Sequence, residues 1–189
     1  MKRRSFIKKG AAAASFVSVG LHGMNALNNN KKFMSKHNFK LKYAPHLGMF
    51  KNHAGDNPID QLNFMADEGF TAFEDNGMKN RSVETQEKMA KTMLDRNMTM
   101  GVFVAHKIYW KEPNLASGNI DKRKEFLYEI KESVKVAKRV NAKWMTVVPG
   151  HVDLSQNIDY QTAHVIETLK QASAIFEPHN ITMVLEPLN

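Results

Sequence analysis

Residues 181–189 read ITMVLEPLN. Four of the first five are apolar, and the run ends on a carboxylate, Glu186, followed by Pro187. A short continuous apolar run of this kind reads as a strand covered on both faces, as in parallel sheets flanked by helices. An ionised carboxylate at the end of such a strand is costly unless it is paired or coordinates a metal. The stretch therefore describes a buried strand whose carboxyl end carries chemistry.

Working back from it, strand-like and helix-like stretches alternate. LKYAPHLGMF (41–50) is expected as a first strand. NPIDQLNFMADEG follows as a helix, with Asn57 as cap, Pro58 at the first helical position and Gly69 at its end. FTAFED (70–75) reads as the second strand. A helix opens at Ser82 and runs through Asn97, with Val83, Met89, Ala90, Met93 and Leu94 inward. MTMGVFVAH (98–106) is the third strand and KWMTVVPGH (143–151) the fourth. A long helix over 121–141 separates them, its stripe made by Phe126, Leu127, Ile130, Val134 and Ala137. A helix over 160–177, stopped by Pro178, precedes the fifth strand, 181–187. The unit repeats as (βα)₄β, but no motif with a fixed signature is read in it. The methionines read as soft core packing.

Two architectures fit this alternation. A doubly wound sheet would carry a Gly-rich phosphate loop after its first strand; GMFKNHAGDNP has glycines but not that spacing. A parallel (β/α)₈ barrel needs about 250 residues and places its functional groups at the carboxyl ends of the strands. Those ends carry His46, Glu74 and Asp75, His106, His151 and Glu186, a titratable group on every strand. This distribution favours the barrel, of which the chain holds the first five or so strands.

GFTAFED after a capped helix, YAPHLGMF at the first strand and ITMVLEPLN at the fifth together resemble the xylose-isomerase-like TIM barrels, in particular the hydroxypyruvate isomerase branch. The resemblance covers residues 41–189 and is most specific in Leu-Glu-Pro-Leu-Asn; KIYWKEPNLASGN after the third strand departs from the branch's pattern. It implies a metal-dependent isomerase or epimerase acting on a small sugar or hydroxy-keto acid by proton transfer through an enediolate. It makes Glu186 a catalytic residue and a ligand of a divalent metal, Mg²⁺ or Mn²⁺, which suits a hard oxygen donor. His106, His151, Glu74 and His46 fall at substrate-binding positions, and Tyr109 and Trp110 on the loop that would wall a sugar pocket. The family's other ligands come from strands six to eight, so the chain is expected to be a fragment, inactive alone, with open edges that another copy or its missing half would cover.

Of 27 basic residues, eight lie in residues 1–36, which hold no acidic residue; the remaining 19 balance the 19 acidic ones. The net charge of +8 therefore belongs to the N-terminal tail, and the body has no overall pull on a phosphate backbone. MKRRSFIKKG followed by AAAASFVSVGLHGMNAL resembles a twin-arginine (Tat) export signal, carried by Arg3, Arg4, Phe6, Ile7 and Lys8. Residues 1–36 are thus expected to be an export signal and polar linker engaging the Tat translocon, and 37–189 the barrel portion. The expected location is periplasmic, or cytoplasmic if the signal does not function. The absence of cysteine removes any disulfide framework. Two alternatives stand beside the isomerase: a non-catalytic carbohydrate-binding protein on a degraded barrel, and a DNA-repair endonuclease of the same superfold, which the neutral body disfavours.

Overall fold

The computed structural model describes residues 36–187. The export-signal reading falls on residues 1–36 and so lies outside them, except for Lys36. Among the described residues five α-helices and four short strands follow one another, alternating from α2 onward: α1 Lys51–Ala54, α2 Pro58–Glu68, β1 Ala72–Phe73, α3 Val83–Asp95, β2 Thr99–Met100, α4 Ile120–Val140, β3 Trp144–Val147, α5 Ile158–Phe176 and β4 Thr182–Leu185.

Among the described residues all strand pairing is parallel. β1 pairs with β2 in the register Ala72↔Thr99 and Phe73↔Met100. β3 pairs with β4 from Trp144↔Thr182 to Val147↔Leu185. Single parallel bridges, His46↔Glu74 and Val104↔Thr146, extend this arrangement at both joins. The five chain segments therefore lie side by side in sequence order. A doubly wound sheet would reverse its order at a switch point, whereas consecutive parallel order is that of a (β/α)₈ barrel, here a partial one.

The first expected strand is mostly absent. Only His46 pairs; residues 47–50 turn, and Lys51–Ala54 form one helical turn. Gly48 takes φ +102°, and its N–H donates to Gln61 Oε1 at 2.8 Å, so this segment is tied to α2 rather than to a sheet neighbour. The third expected strand survives as β2 and the bridge at Val104.

The helices share their start and their stop. Asn57, Ser82, Asn119 and Asn157 cap α2, α3, α4 and α5 by accepting backbone N–H groups of the first turn. Four residues after three of these caps stands a buried glutamine that fastens the preceding loop. Gln61 bonds Gly48 N and Gly55 O, Gln86 bonds Met78 O and Arg81 O, and Gln161 bonds Asp153 N, Asp153 O and Gln156 O. At the other end, Gly69, Asn97, Asn141 and Asn180 adopt positive φ. The next N–H in each case reaches back five residues: Phe70 to Met65 O, Met98 to Met93 O, Ala142 to Ala137 O and Ile181 to Phe176 O. This is the Schellman arrangement, and it turns the chain into the next strand within two or three residues. The unit thus does carry a repeated signature, an Asn or Ser cap with Gln four residues on. Gly69 is constrained twice, because a Cβ there would sit 2.1 Å from the His37 carbonyl oxygen.

The core lies between the strands and the helices. Phe73, Met100, Phe103, Met145 and Val147 meet Leu62, Met65, Met89, Ile130, Ala137, Ala172 and Phe176, all 2% exposed or less. Among the described residues Met65, Met78, Met89, Met93, Met98, Met100 and Met145 are core packing, as expected, whereas Met49 is exposed. On α3, however, Val83 and Leu94 are exposed, and Gln86 takes the inward position instead. β4 pairs only with β3 among the described residues and leaves Val184 and Leu185 exposed.

Candidate active site at the carboxyl ends of the strands

At the end of β1 the ladder continues through Glu74, whose N–H donates to Pro45 O at 3.0 Å and whose carbonyl accepts from Leu47 N at 2.9 Å. This holds His46 and Glu74 side by side, both half-buried. The His46 ring is turned back to its own loop, with Nδ1 donating to Leu47 O at 2.7 Å. The next residue, Asp75, is 2% exposed. Its carboxylate accepts Arg81 Nε at 2.5 Å, Arg81 Nη2 at 3.3 Å and Gly77 N at 3.1 Å. A fork of this kind fixes geometry as well as charge, and here it shapes the loop 76–81.

That loop delivers Lys79 to the end of β2. Lys79 Nζ donates to Ala105 O at 3.1 Å and to Glu129 Oε2 at 3.0 Å. The same Glu129 oxygen accepts Lys107 N, and Ser133 Oγ also donates to Ala105 O. Glu129 and Ser133 both come from α4, so one helix fastens the loops after β1 and β2. Beside them His106 is 5% exposed and packs edge-on against Phe126, ring centroids 4.8 Å apart. Its Nδ1 lies 2.8 Å from Lys107 O, and its Nε2 accepts Val148 N at 3.1 Å. An acceptor at Nε2 requires the neutral ring with hydrogen on Nδ1. Burial lowers its pKa below the usual 6.5, in agreement.

The loop 107–119 is anchored along α4. Tyr109 Oη donates to Glu125 Oε2 at 2.6 Å, and Lys122 Nζ donates to Glu112 Oε2 and Pro113 O at 2.9 and 2.8 Å. Its tip is set from the other side: His151 Nε2 donates to the Trp110 carbonyl. Trp110 is 64% exposed and contributes to the walls of two cavities. The first, about 480 Å³, includes Asn76, Lys79, His106, Trp110 and Glu129 in its wall. The second, about 330 Å³, includes Tyr109, Trp110, Val148, Gly150 and His151. Both fall in the usual size range of small-molecule sites, roughly 300–1,000 Å³.

Glu186 lies past the end of β4 and is exposed, but its N–H still donates to Val147 O at 3.0 Å. Strand alternation therefore places it on the face of Val184, whose register partner is Thr146. Thr146 in turn bridges Val104, a wall residue of the first cavity. Of the residues singled out from the sequence, His106, His151, Tyr109 and Trp110 border the cavities; Glu74, His46 and Glu186 do not. Among the described residues no group of three His, Cys, Asp or Glu side chains gathers to hold a metal. Lys79, Glu129, Asn76 and the Asp75–Arg81 fork escape sequence reading. Lys79 sits in an irregular turn, and Glu129 looks like one of many charges on the polar face of α4.

Comparison with known proteins agrees with this geometry. Residues 62–189 match the family described as xylose isomerase-like TIM barrel. The fold is similar to 3-keto-D-glucoside 4-epimerase from E. coli, with TM-score 0.63 and 17% identity over 79% of this chain and 57% of that one. It is similar to an AP endonuclease, family 2, from Brucella melitensis, with TM-score 0.61 and 17% identity over 78% and 55%. It is also similar to D-psicose 3-epimerase from Clostridium cellulolyticum H10, with TM-score 0.61 and 15% identity over 79% and 53%. The chain spans a little over half the length of these solved structures, and no curated protein matches it. With the family matched over more than half its length and the strands in barrel order, the chain belongs to the xylose isomerase-like TIM barrels.

Proposed function

We propose that the protein is a sugar isomerase or epimerase that moves a proton next to a carbonyl in a small sugar or hydroxy-keto acid, as in hydroxypyruvate isomerase. The observation that carries this is the placement of Glu186. It is held in the parallel ladder beyond β4, on the face of Thr146, while the neighbouring strand ends open into two cavities. In such a reaction a base removes the proton beside the carbonyl and the electron pair moves onto the carbonyl oxygen, giving an enediolate. Return of the proton to the adjacent carbon interconverts aldose and ketose; return to the opposite face of the same carbon inverts it. Glu186 is the proposed acid/base group. Glu74 and His46 are proposed substrate contacts. His106, with both ring nitrogens engaged, positions the end of β3, and His151 positions Trp110.

A divalent cation, Mg²⁺ or Mn²⁺, belongs to the proposal with Glu186 as one hard oxygen donor. The described residues do not complete a donor set around it. A second reading is a carbohydrate-binding protein without turnover, which the exposed Trp110 on the walls of both cavities favours. The twin-arginine-like N-terminus is proposed to direct export to the periplasm through the Tat translocon.

The test is conversion of D-fructose, D-tagatose and hydroxypyruvate, followed by NMR, using protein expressed from the complete gene with Mn²⁺ and then with EDTA. The isomerase reading predicts conversion that EDTA removes. Sugar binding without conversion supports the second reading, and cleavage of abasic-site DNA without sugar conversion contradicts both.

A further inference from the structure

The two cavities are adjacent and have Ile108 and Trp110 in common in their walls. At about 480 and 330 Å³, each is within the size range of a complete small-molecule site. Their walls differ. The first is polar, with the Lys79 ammonium, the Asn76 amide and the Glu129 carboxylate. Two of the three Lys79 donors go to Ala105 O and Glu129, which leaves one for a ligand oxygen. The second is more apolar, walled by Ile108, Tyr109, Val148 and Val152 around His151.

The shared wall is built rather than incidental. Trp110 is an exposed aromatic on a loop whose backbone is fixed from both sides. α4 holds Tyr109 through Glu125, and the loop after β3 holds the Trp110 carbonyl through His151. An indole has only two side-chain torsions to immobilise on binding and offers flat apolar faces. Flat apolar faces bordered by hydrogen-bonding groups suit pyranose rings, which carry C–H groups on their faces and hydroxyls on their edges.

Resting on the isomerase reading of this site, we propose that the ligand has two rings, a disaccharide or glycoside, with one ring on each side of Trp110. The polar compartment takes the more hydroxylated ring through Lys79, Asn76 and Glu129. The apolar compartment takes the second ring or aglycone, and His151 holds the Trp110 backbone between them.

The experiment is calorimetric titration of the complete protein with sucrose, maltose and cellobiose against D-glucose and D-fructose. It is repeated on Trp110→Ala and Trp110→Phe after circular dichroism shows both folded. The expected result is that at least one disaccharide binds about tenfold or more tighter than either of its monosaccharides, roughly the factor for burying one more apolar ring face. Trp110→Ala is expected to erase that ratio and Trp110→Phe to keep most of it. Monosaccharides binding as tightly as disaccharides, no disaccharide binding at all, or an unchanged ratio in Trp110→Ala would each overturn the proposal. The ratio is read from binding alone, so a protein that converts monosaccharides without this preference loses the two-ring ligand and keeps the isomerase reading. One that shows the preference without turnover does the reverse.

Discussion

His106 Nε2 accepts a hydrogen bond from the Val148 backbone N–H at 3.1 Å, joining the carboxyl end of β2 to that of β3. The strands no longer pair at this level, since the last bridge between them is Val104↔Thr146. The imidazole continues the connection where the ladder stops.

This relationship sets a pH dependence. The unfolded histidine takes a proton near 6.5, and the folded one only at lower pH because it is buried. Between those values the unfolded state binds more protons, so stability falls as pH drops below about 6.5 and levels off below the folded pKa. Urea midpoints at pH 7.5 and 5.5 are expected to differ more for the wild type than for His106→Phe. The substitution itself leaves the Val148 N–H unsatisfied and is expected to cost about 1–3 kcal/mol at pH 7.5.

Removing Arg81 leaves the Asp75 carboxylate buried with only the Gly77 N–H as partner. A fully buried pair broken on one side costs roughly 3–5 kcal/mol. Arg81 is partly exposed, so Arg81→Ala is expected to cost about 2–4 kcal/mol in chemical denaturation. Because the fork shapes the loop that carries Lys79, sugar binding in the first cavity is expected to weaken as well.

The cap-plus-four glutamines are expected to act as loop fasteners. Gln161→Leu keeps the volume but releases Asp153 N, Asp153 O and Gln156 O. The expected cost is about 1–3 kcal/mol. Amide exchange should accelerate in residues 153–157 more than in the middle of α5; uniform acceleration along the helix would argue against a local role.

Gly118 takes φ +66°, and a Cβ on it would stand 2.6 Å from His164 Nε2. Gly118→Ala is therefore expected to destabilise by about 1–3 kcal/mol through backbone strain and the clash together. Adding His164→Ala is expected to restore only the steric share, which a double-mutant cycle reads directly.

The sequence disclosed the alternation, two of the four caps (Asn57 and Ser82), the starts of the other two helices to within two residues, and the parallel order. These follow from local signals: apolar runs, N-cap residues and the Gly69 stop. The first strand misled because YAPHLGMF looks apolar, whereas its backbone satisfies itself through turns and Gln61. Asn97, Asn141 and Asn180 end helices as glycine does at Gly69, and their regular placement escaped notice because asparagine is common in loops. For the site, the strand ends were legible as positions but not as roles. His106 is identical in type to a substrate-binding histidine, and only the distances to Lys107 O and Val148 N show both nitrogens engaged. Lys79 and Glu129 are 50 residues apart in the chain and meet only through the packing of α4.

The central claim is that a proton moves next to a carbonyl at the end of β4. Its most direct measurement is deuterium incorporation from D₂O into that carbon, followed by proton NMR on protein from the complete gene with Mn²⁺, for the wild type and Glu186→Gln. The account predicts wash-in for the wild type and at least a hundredfold slower wash-in for Glu186→Gln, the scale of a lost general acid/base, about 10²–10⁴. Equal rates for the two proteins, or no wash-in for either, would contradict it.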